Sequence, residues 1–337
     1  MRAIHVVRPF VTLLAMALLV ECSGSGGSSG AGAKSVIPSS NGIHRLRAMS
    51  MGGCSPCNVY PDGTLAYWDD ASGNIYLYDG PITSSSTPSA TLSPSWGYLN
   101  GGMTFDTSGN LWVTYSTGSA GTIVEYAAPI TTGESPSVTI SGSNTGLIAS
   151  VGISYNQSTG NIYVADEYAH SVSAWSATAS GNVAPSTTMT NSNIGYAGLK
   201  TDANYIYVSS AAGGVAQFNL TASGSSSPVA TFATGVHSYW LDFDVEGNVY
   251  LGGQGSVCRY LYDDSWNDFV CFTSGTATNI AVDDAGYVYT TSATGGGTLY
   301  ITPYSGGSPT VTLTGIGRGA TAMALYSPGK FNGTEPQ

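Results

Sequence analysis

Charge is what this sequence has least of. Acidic and basic residues together fill 9% of 337 positions, against about a quarter in an ordinary soluble domain. Amphipathic helices need a charged outer face, so a chain this poor in charge is not built from them. Cations are scarcer still: nine Lys and Arg, and a net charge of −11. Proteins hold nucleic acid and anionic lipid by neutralising phosphates, so both partner classes are disfavoured. Histidine occurs four times, as His5, His44, His170 and His237, too scattered to suggest a Ser-His-Asp arrangement. Long apolar runs are also missing. Val11 to Val20 is the longest, about ten residues and too short to cross a bilayer.

What is present suits short strands and tight turns. There are 45 Gly and 22 Tyr, and 42% of the chain is hydrophobic, enough to bury a core.

The first residues read as a targeting segment: Arg2 and Arg8, the apolar run, then Cys22 followed by a Gly/Ser-rich stretch. This resembles a bacterial lipoprotein signal, whose cysteine becomes the lipidated first residue, although Glu21 stands where that pattern has a small residue. The resemblance implies a signal peptide over 1–22, lipidation at Cys22 and a flexible tether over 23–43. It implies an exported protein of the bacterial cell envelope (outer membrane, periplasm or cell surface), touching the membrane only through its lipid. The remaining cysteines are even in number: Cys54, Cys57, Cys258 and Cys271. In an exported chain this suggests disulfides, Cys54 with Cys57 as a tight local bridge and Cys258 with Cys271 across a short loop. Haem attachment would need His after Cys57, where Asn58 stands, and no second ligand pair completes a zinc site.

Three short patterns repeat along the chain. The first is a Gly turn and a short strand, in Gly109-Asn-Leu-Trp-Val-Thr-Tyr115, Gly160-Asn-Ile-Tyr-Val-Ala-Asp166, Gly247-Asn-Val-Tyr-Leu-Gly-Gly253 and Gly286-Tyr-Val-Tyr-Thr-Thr-Ser292. Asn204 to Ser210 lacks the Gly, and Gly63 to Asp69 is a weaker first copy. Polar and apolar residues roughly alternate, as in half-buried strands. The second opens a β-prone run with proline, at Pro88, Pro136, Pro185, Pro228 and Pro309. A proline that opens a strand marks an edge, where its missing N–H costs nothing. The unit between Pro228 and Pro309 lacks this proline and carries Cys258 and Cys271, which predicts a staple on the same edge. The third ends in Asp or Asn just before the Gly turn: Asp106, Asn156, Asp202, Asp244 and Asp283. These side chains are expected to bond the turn backbone rather than act in catalysis.

Four short strands per unit of about 45 residues is the mark of a β-propeller. The fold class is all-β, with about six four-stranded blades over 44–326 and a C-terminal tail over 327–337. The units run near 51–93, 97–141, 147–190, 194–233, 236–273 and 276–314. Ala320 to Tyr326 reads as one more innermost strand, expected to close the ring with the segment near His44 to Met51. A seventh blade assembled from both termini is the alternative. Gly160-Asn-Ile-Tyr-Val-Ala-Asp-Glu-Tyr-Ala-His-Ser-Val-Ser-Ala-Trp175 resembles the centre of an NHL-repeat blade. The other units match it less well, so the resemblance bears on fold more than on function.

In such a ring, the loop after each second strand and the loop into the next innermost strand share one face around the channel mouth. On this sequence that face collects Asp69, Asp70, Trp96, Tyr98, Asp166, Glu167, Tyr168, His170, Tyr196, His237, Tyr239 and Arg318. Aromatics among a few polar groups stack sugars or grip peptides. The expectation is a non-catalytic binding module for a protein, peptide or glycan, with no cofactor, no metal and no catalytic residues. The architecture also resembles six-bladed lactonases of the gluconolactonase type, which implies, as an alternative, a hydrolase holding a divalent metal with Glu, Asn and Asp in the channel. Their early Glu-Gly-Pro segment is absent, Met51-Gly-Gly-Cys-Ser-Pro56 standing in its place.

Overall fold

A computed structural model describes residues 63–327 except 70, 96–100, 196–197, 210–212, 234–239, 254–255, 263–267, 273–276, 293–296, 304–305 and 317–319. The strands form six antiparallel sheets. The first blade holds β1 (Thr64–Asp69), β2 (Ile75–Asp79) and β3 (Ala90–Leu92), completed inside by the last strand, β25 (Ala320–Tyr326). The second holds β4 (Met103–Phe105), β5 (Leu111–Ser116), β6 (Gly121–Tyr126) and β7 (Val138–Ser141). The third holds β8 (Ser150–Asn156), β9 (Asn161–Asp166), β10 (Ser171–Ser176) and β11 (Thr187–Thr190). The fourth holds β12 (Leu199–Thr201), β13 (Tyr205–Ser209), β14 (Val215–Asn219) and β16 (Ala230–Phe232); its short β15 (Gly224–Ser225) crosses to the outer edge of the third. The fifth holds β17 (Trp240–Phe243), β18 (Val249–Gly253), β19 (Ser256–Tyr260) and β20 (Phe269–Phe272). The sixth holds β21 (Ala277–Val282), β22 (Tyr287–Ser292), β23 (Thr298–Pro303) and β24 (Val311–Thr314).

The innermost strands touch in a closed cycle, β25 to β4, β8, β12, β17, β21 and back to β25. The chain is a six-bladed β-propeller. The last strand closes the ring as an innermost strand, as the sequence leads one to expect, and no seventh blade forms among the described residues. β25 does not start a further blade: it pairs with β1, Leu65 opposite Leu325 and Ala66 opposite Ala324, and so supplies the first blade's innermost strand. The physical reason is economy of edges, since one strand from the C-terminus both completes a sheet and locks the ring. The segment 44–51 lies outside the described residues, as do the signal, the tether, Cys22, Cys54 and Cys57.

Burial also departs from simple alternation. β5 and β9 are buried along nearly their whole length, polar Thr114, Ser116 and Asp166 included. Each blade is covered on both faces by its neighbours, so these central strands have no face left for water. One apolar cluster fills each of the six gaps between blades. Between the sixth and first, for example, Tyr289, Leu299 and Leu313 meet Leu65, Tyr67 and Leu325. A single blade could not bury either face alone, so the ring stands or falls together.

The acidic residue before each turn does what its place predicts, and more. Asp106 Oδ1 accepts the backbone N–H of Ser108 (2.8 Å) and Asn110 (3.0 Å). Its Oδ2 accepts the Trp112 indole N–H at 3.1 Å. Asp202, Asp244 and Asp283 repeat the arrangement, accepting from the hydroxyls of Tyr207 (2.7 Å), Tyr250 (3.1 Å) and Tyr289 (3.0 Å). One carboxylate thus fixes a turn and orients the large aromatic of the next strand. In the third blade Asn156 accepts from Thr159 N–H and donates to the Asp202 carbonyl of the neighbouring blade, 2.7 Å. Burial raises the tyrosine hydroxyls Tyr207 and Tyr250 well above their ordinary range.

Burial pushes the Asp283 carboxyl up to about 6, while its bonds from Tyr287, Tyr289 and Ala285 pull the other way and fall short. A carboxyl whose folded pKa lies above its unfolded value favours folding most at low pH, and that contribution is lost as pH rises through about 6. The loss is about 2 kcal/mol between pH 4 and pH 8. Asp283→Asn, which puts here the residue the third blade uses, is expected to remove it. Thermal unfolding of both proteins across that range should show the variant gaining on the wild type as pH rises. An unchanged difference would mean that Asp283 stays ionised in the fold.

Cys258 and Cys271 form a disulfide between β19 and β20. It staples the outer strand of the one blade without a leading proline, as the spacing predicts. Closing so short a loop contributes roughly 3 kcal/mol.

Candidate functional site

The mouth face is built where three loops meet in the third blade. The β9–β10 loop (167–170) is a four-residue turn, because Asp166 pairs with Ser171 across it. His170 closes that turn in the left-handed region, φ 46°. Its ring Nδ1 stands 2.6 Å from the Ile194 carbonyl, in the loop leading to β12. A carbonyl only accepts, so Nδ1 carries the proton.

Asp166 is the centre of this arrangement. It is 1% exposed. Oδ2 accepts the backbone N–H of Ile148 (2.6 Å) and Ala149 (2.9 Å), in the loop leading into β8. Oδ1 accepts the N–H of Ala169, in its own turn, at 3.0 Å. Glu167 N–H adds a bond to the Ala149 carbonyl, 2.9 Å. From the second blade, Ser116 Oγ donates to the Ile148 carbonyl at 2.6 Å. Both backbone groups of Ile148 are therefore held by polar side chains of two blades, while its own side chain is 38% exposed. Tyr168, on the adjoining turn, is 62% exposed. The remaining large hydrophobics exposed among the described residues, Val229, Phe269 and Val270, lie at outer edges.

The structure brings together Asp166, Glu167, Tyr168 and His170 from the expected set. Asp166 stands among them as the buried anchor of two loops, with its carboxylate turned inward. Asp69 is used likewise: it is 3% exposed and accepts from Ala71 N–H, Ser72 N–H and Ser72 Oγ. Asp70, Trp96, Tyr98, Tyr196, His237, Tyr239 and Arg318 lie outside the described residues. Sequence reasoning missed Ile148 and Ser116. Ile148 follows Leu147, which is 6% exposed, and nothing in the two letters says which turns outward.

Asp242 is the one carboxylate on the innermost strands. Lys200 of β12 stands 3.0 Å from its Oδ1, and Val282 N–H of β21 donates to its Oδ2 at 2.8 Å. It thus ties three consecutive blades across the inner ring. Among the described residues no three His, Cys, Asp or Glu side chains stand together as metal ligands.

Comparison with known proteins bears on the fold. No protein-family model matches the chain, and no curated protein does. Similar solved structures include a nidogen/laminin complex (11% identity, 78% of this chain and 98% of that one, TM-score 0.59). A functionally unknown protein from Desulfotomaculum acetoxidans DSM 771 is also similar (10%, 79% and 99%, TM-score 0.56). So is the WD40 β-propeller domain of Doa1 (14%, 76% and 80%, TM-score 0.50). The likeness is one of architecture, that of a β-propeller. It extends to WD40-type propellers and carries no assignment to NHL repeats.

Proposed function

We propose that this protein is an exported, lipid-tethered propeller of the bacterial cell envelope. Its channel-mouth face binds a protein, peptide or glycan without catalysing a reaction. The observation that carries the reading is the exposure of Ile148 and Tyr168 on two loops that one buried carboxylate holds in place. Apolar anchors fixed before binding lose little entropy on association, which is how a few residues come to dominate an interface. A nidogen/laminin assembly among the similar structures supports a protein partner. The lipoprotein-like segment ending at Cys22 and the disulfide between Cys258 and Cys271 support export.

The test is a peptide and glycan array probed with the purified protein, then with Ile148→Ala and Tyr168→Ala. Each substitution is expected to weaken a selected ligand about tenfold or more and to leave thermal stability unchanged, because both side chains face solvent. Ligands bound equally well by all three proteins would overturn the mouth assignment. In bacteria, Cys22→Ala is expected to move the protein from the membrane to the soluble fraction. Continued membrane association would remove the lipid anchor from the reading and leave the mouth untouched.

A further inference from the structure

The outer strands of the blades are not covered alike. Between the third and fourth strands of the second, third and fourth blades run twelve-residue connections, 126–137, 175–186 and 218–229. Each reaches back and pairs with the outer edge of the preceding blade through a glycine. Gly133 N–H donates to Thr91 of β3 (2.9 Å). Gly181 N–H donates to the Thr139 carbonyl (2.7 Å) and its carbonyl accepts from Ser141, both on β7. Gly224 lies parallel to Met189 of β11. All three glycines have positive φ, 78°, 78° and 61°. Each connection also lays an apolar residue on the edge it covers: Ile130, Ala179 and Leu220 pack on the clusters holding Leu92, Ile140 and Met189.

Among the described residues the first, fifth and sixth blades show no such latch, and the sixth leaves the most apolar edge. Its connection, 302–310, is three residues shorter. Gly306 occupies the glycine's place, but its N–H is taken by Pro303 in its own turn, at 2.8 Å. The edge it would cover is β20, and there Phe269 is 55% and Val270 53% exposed. Natural edges are normally blunted by proline or charge. Five blades have a proline before the outer strand, whereas β20 reads Phe269-Val-Cys-Phe272.

The polar groups this edge presents follow from its register. Leu261 N–H donates to Asp268, directly opposite it, which makes that a hydrogen-bonded pair. Antiparallel pairs alternate, so Arg259–Val270 is bonded inward, while Phe269 and Cys271 aim their N–H and C=O away from the sheet. The 4.0 Å Cα separation of Cys258 and Cys271 fits the narrower, non-hydrogen-bonded class.

We infer that β20 is a docking edge for an extended segment of another protein. The segment adds as a parallel fifth strand, with a glycine bridging the Phe269 carbonyl and the Cys271 N–H and an apolar residue two to four positions before it. The chain's own latches define this chemistry, since Gly181 bridges Thr139 and Ser141 in just this way. Strand addition takes its affinity from main-chain bonds and its selectivity from side-chain placement. This surface lies on the outer rim and stands independently of the mouth.

The probe is a capped peptide with the sequence of residues 218–228, offered to the full chain while amide exchange is followed by mass spectrometry. Exchange at Cys271, whose N–H the glycine carbonyl accepts, is expected to slow about tenfold. The same peptide with its glycine N-methylated, unable to donate, is expected to do nothing. A variant whose 302–310 connection is replaced by the sequence of 218–229 should protect the Cys271 amide unaided and ignore the peptide. Unchanged exchange with saturating peptide would overturn the inference, as would equal protection by the N-methylated form. A dimer in sedimentation that protects the same amide and excludes the peptide would also overturn it, assigning the edge to a second copy of this chain.

Discussion

A chain that stops before Ala320 is expected not to fold. The seven residues of β25 give the first blade its innermost strand, and their side chains reach both ways. Met323 and Leu325 enter the cluster shared with the sixth blade, and Ala322 and Ala324 the cluster shared with the second. Losing a buried Leu or Met side chain costs about 2–5 kcal/mol. The truncation also strips β1 of every partner between Thr64 and Asp69 on that side. Whole domains of this kind are stable by about 5–15 kcal/mol, so the sum exceeds what the remainder can hold. Deletion of 328–337 is the control and is expected to leave stability unchanged. Far-ultraviolet circular dichroism and a thermal melt decide it. A cooperative transition at the wild-type midpoint in the shorter chain would mean that the ring does not depend on its closing strand.

That strand also marks where sequence reading reaches its limit. Gly turns, strand-opening prolines and turn-fixing acids recur with a period, so blades and their number are legible as spacing. The aromatic partners were not read there, although Trp112, Tyr250 and Tyr289 each stand six residues after their Asp. Nor was the partner of β25. An innermost strand looks the same whether it opens a blade or completes one begun some 250 residues earlier, and only closure in space separates the two. The same holds at the mouth. An Asp at the end of a strand reads alike whether its carboxylate meets solvent or, like Asp166, turns inward to gather backbone N–H groups from two loops. The covering of outer edges was half legible: the missing proline before Phe269 was visible, whereas the exposure of Phe269 and Val270 on that edge was not.

Asp166→Ala is expected to be the most damaging single substitution at the mouth. Three backbone donors, from Ile148, Ala149 and Ala169, lose a charged acceptor at once. Each unsatisfied buried group costs about 1–3 kcal/mol. Water reaches Ile148 and Ala169 more readily than Ala149, so the net loss is roughly 3–4 kcal/mol. Asp166→Asn keeps one acceptor oxygen and turns an N–H₂ toward the other donors, so it should recover part of that and no more. The two variants separate anchoring from contact. Ile148→Ala and Tyr168→Ala remove surface that a partner would touch and leave stability alone. Asp166→Ala leaves both side chains in place and frees the loops that carry them. Hydrogen exchange is therefore expected to rise at residues 148, 149 and 169 well below the melting temperature, with the outer strands unchanged and ligand affinity falling together with the protection. Affinity that survives while those three amides exchange freely would show that the mouth does not bind through a preformed surface, and the weight of the interaction would then shift to the outer rim.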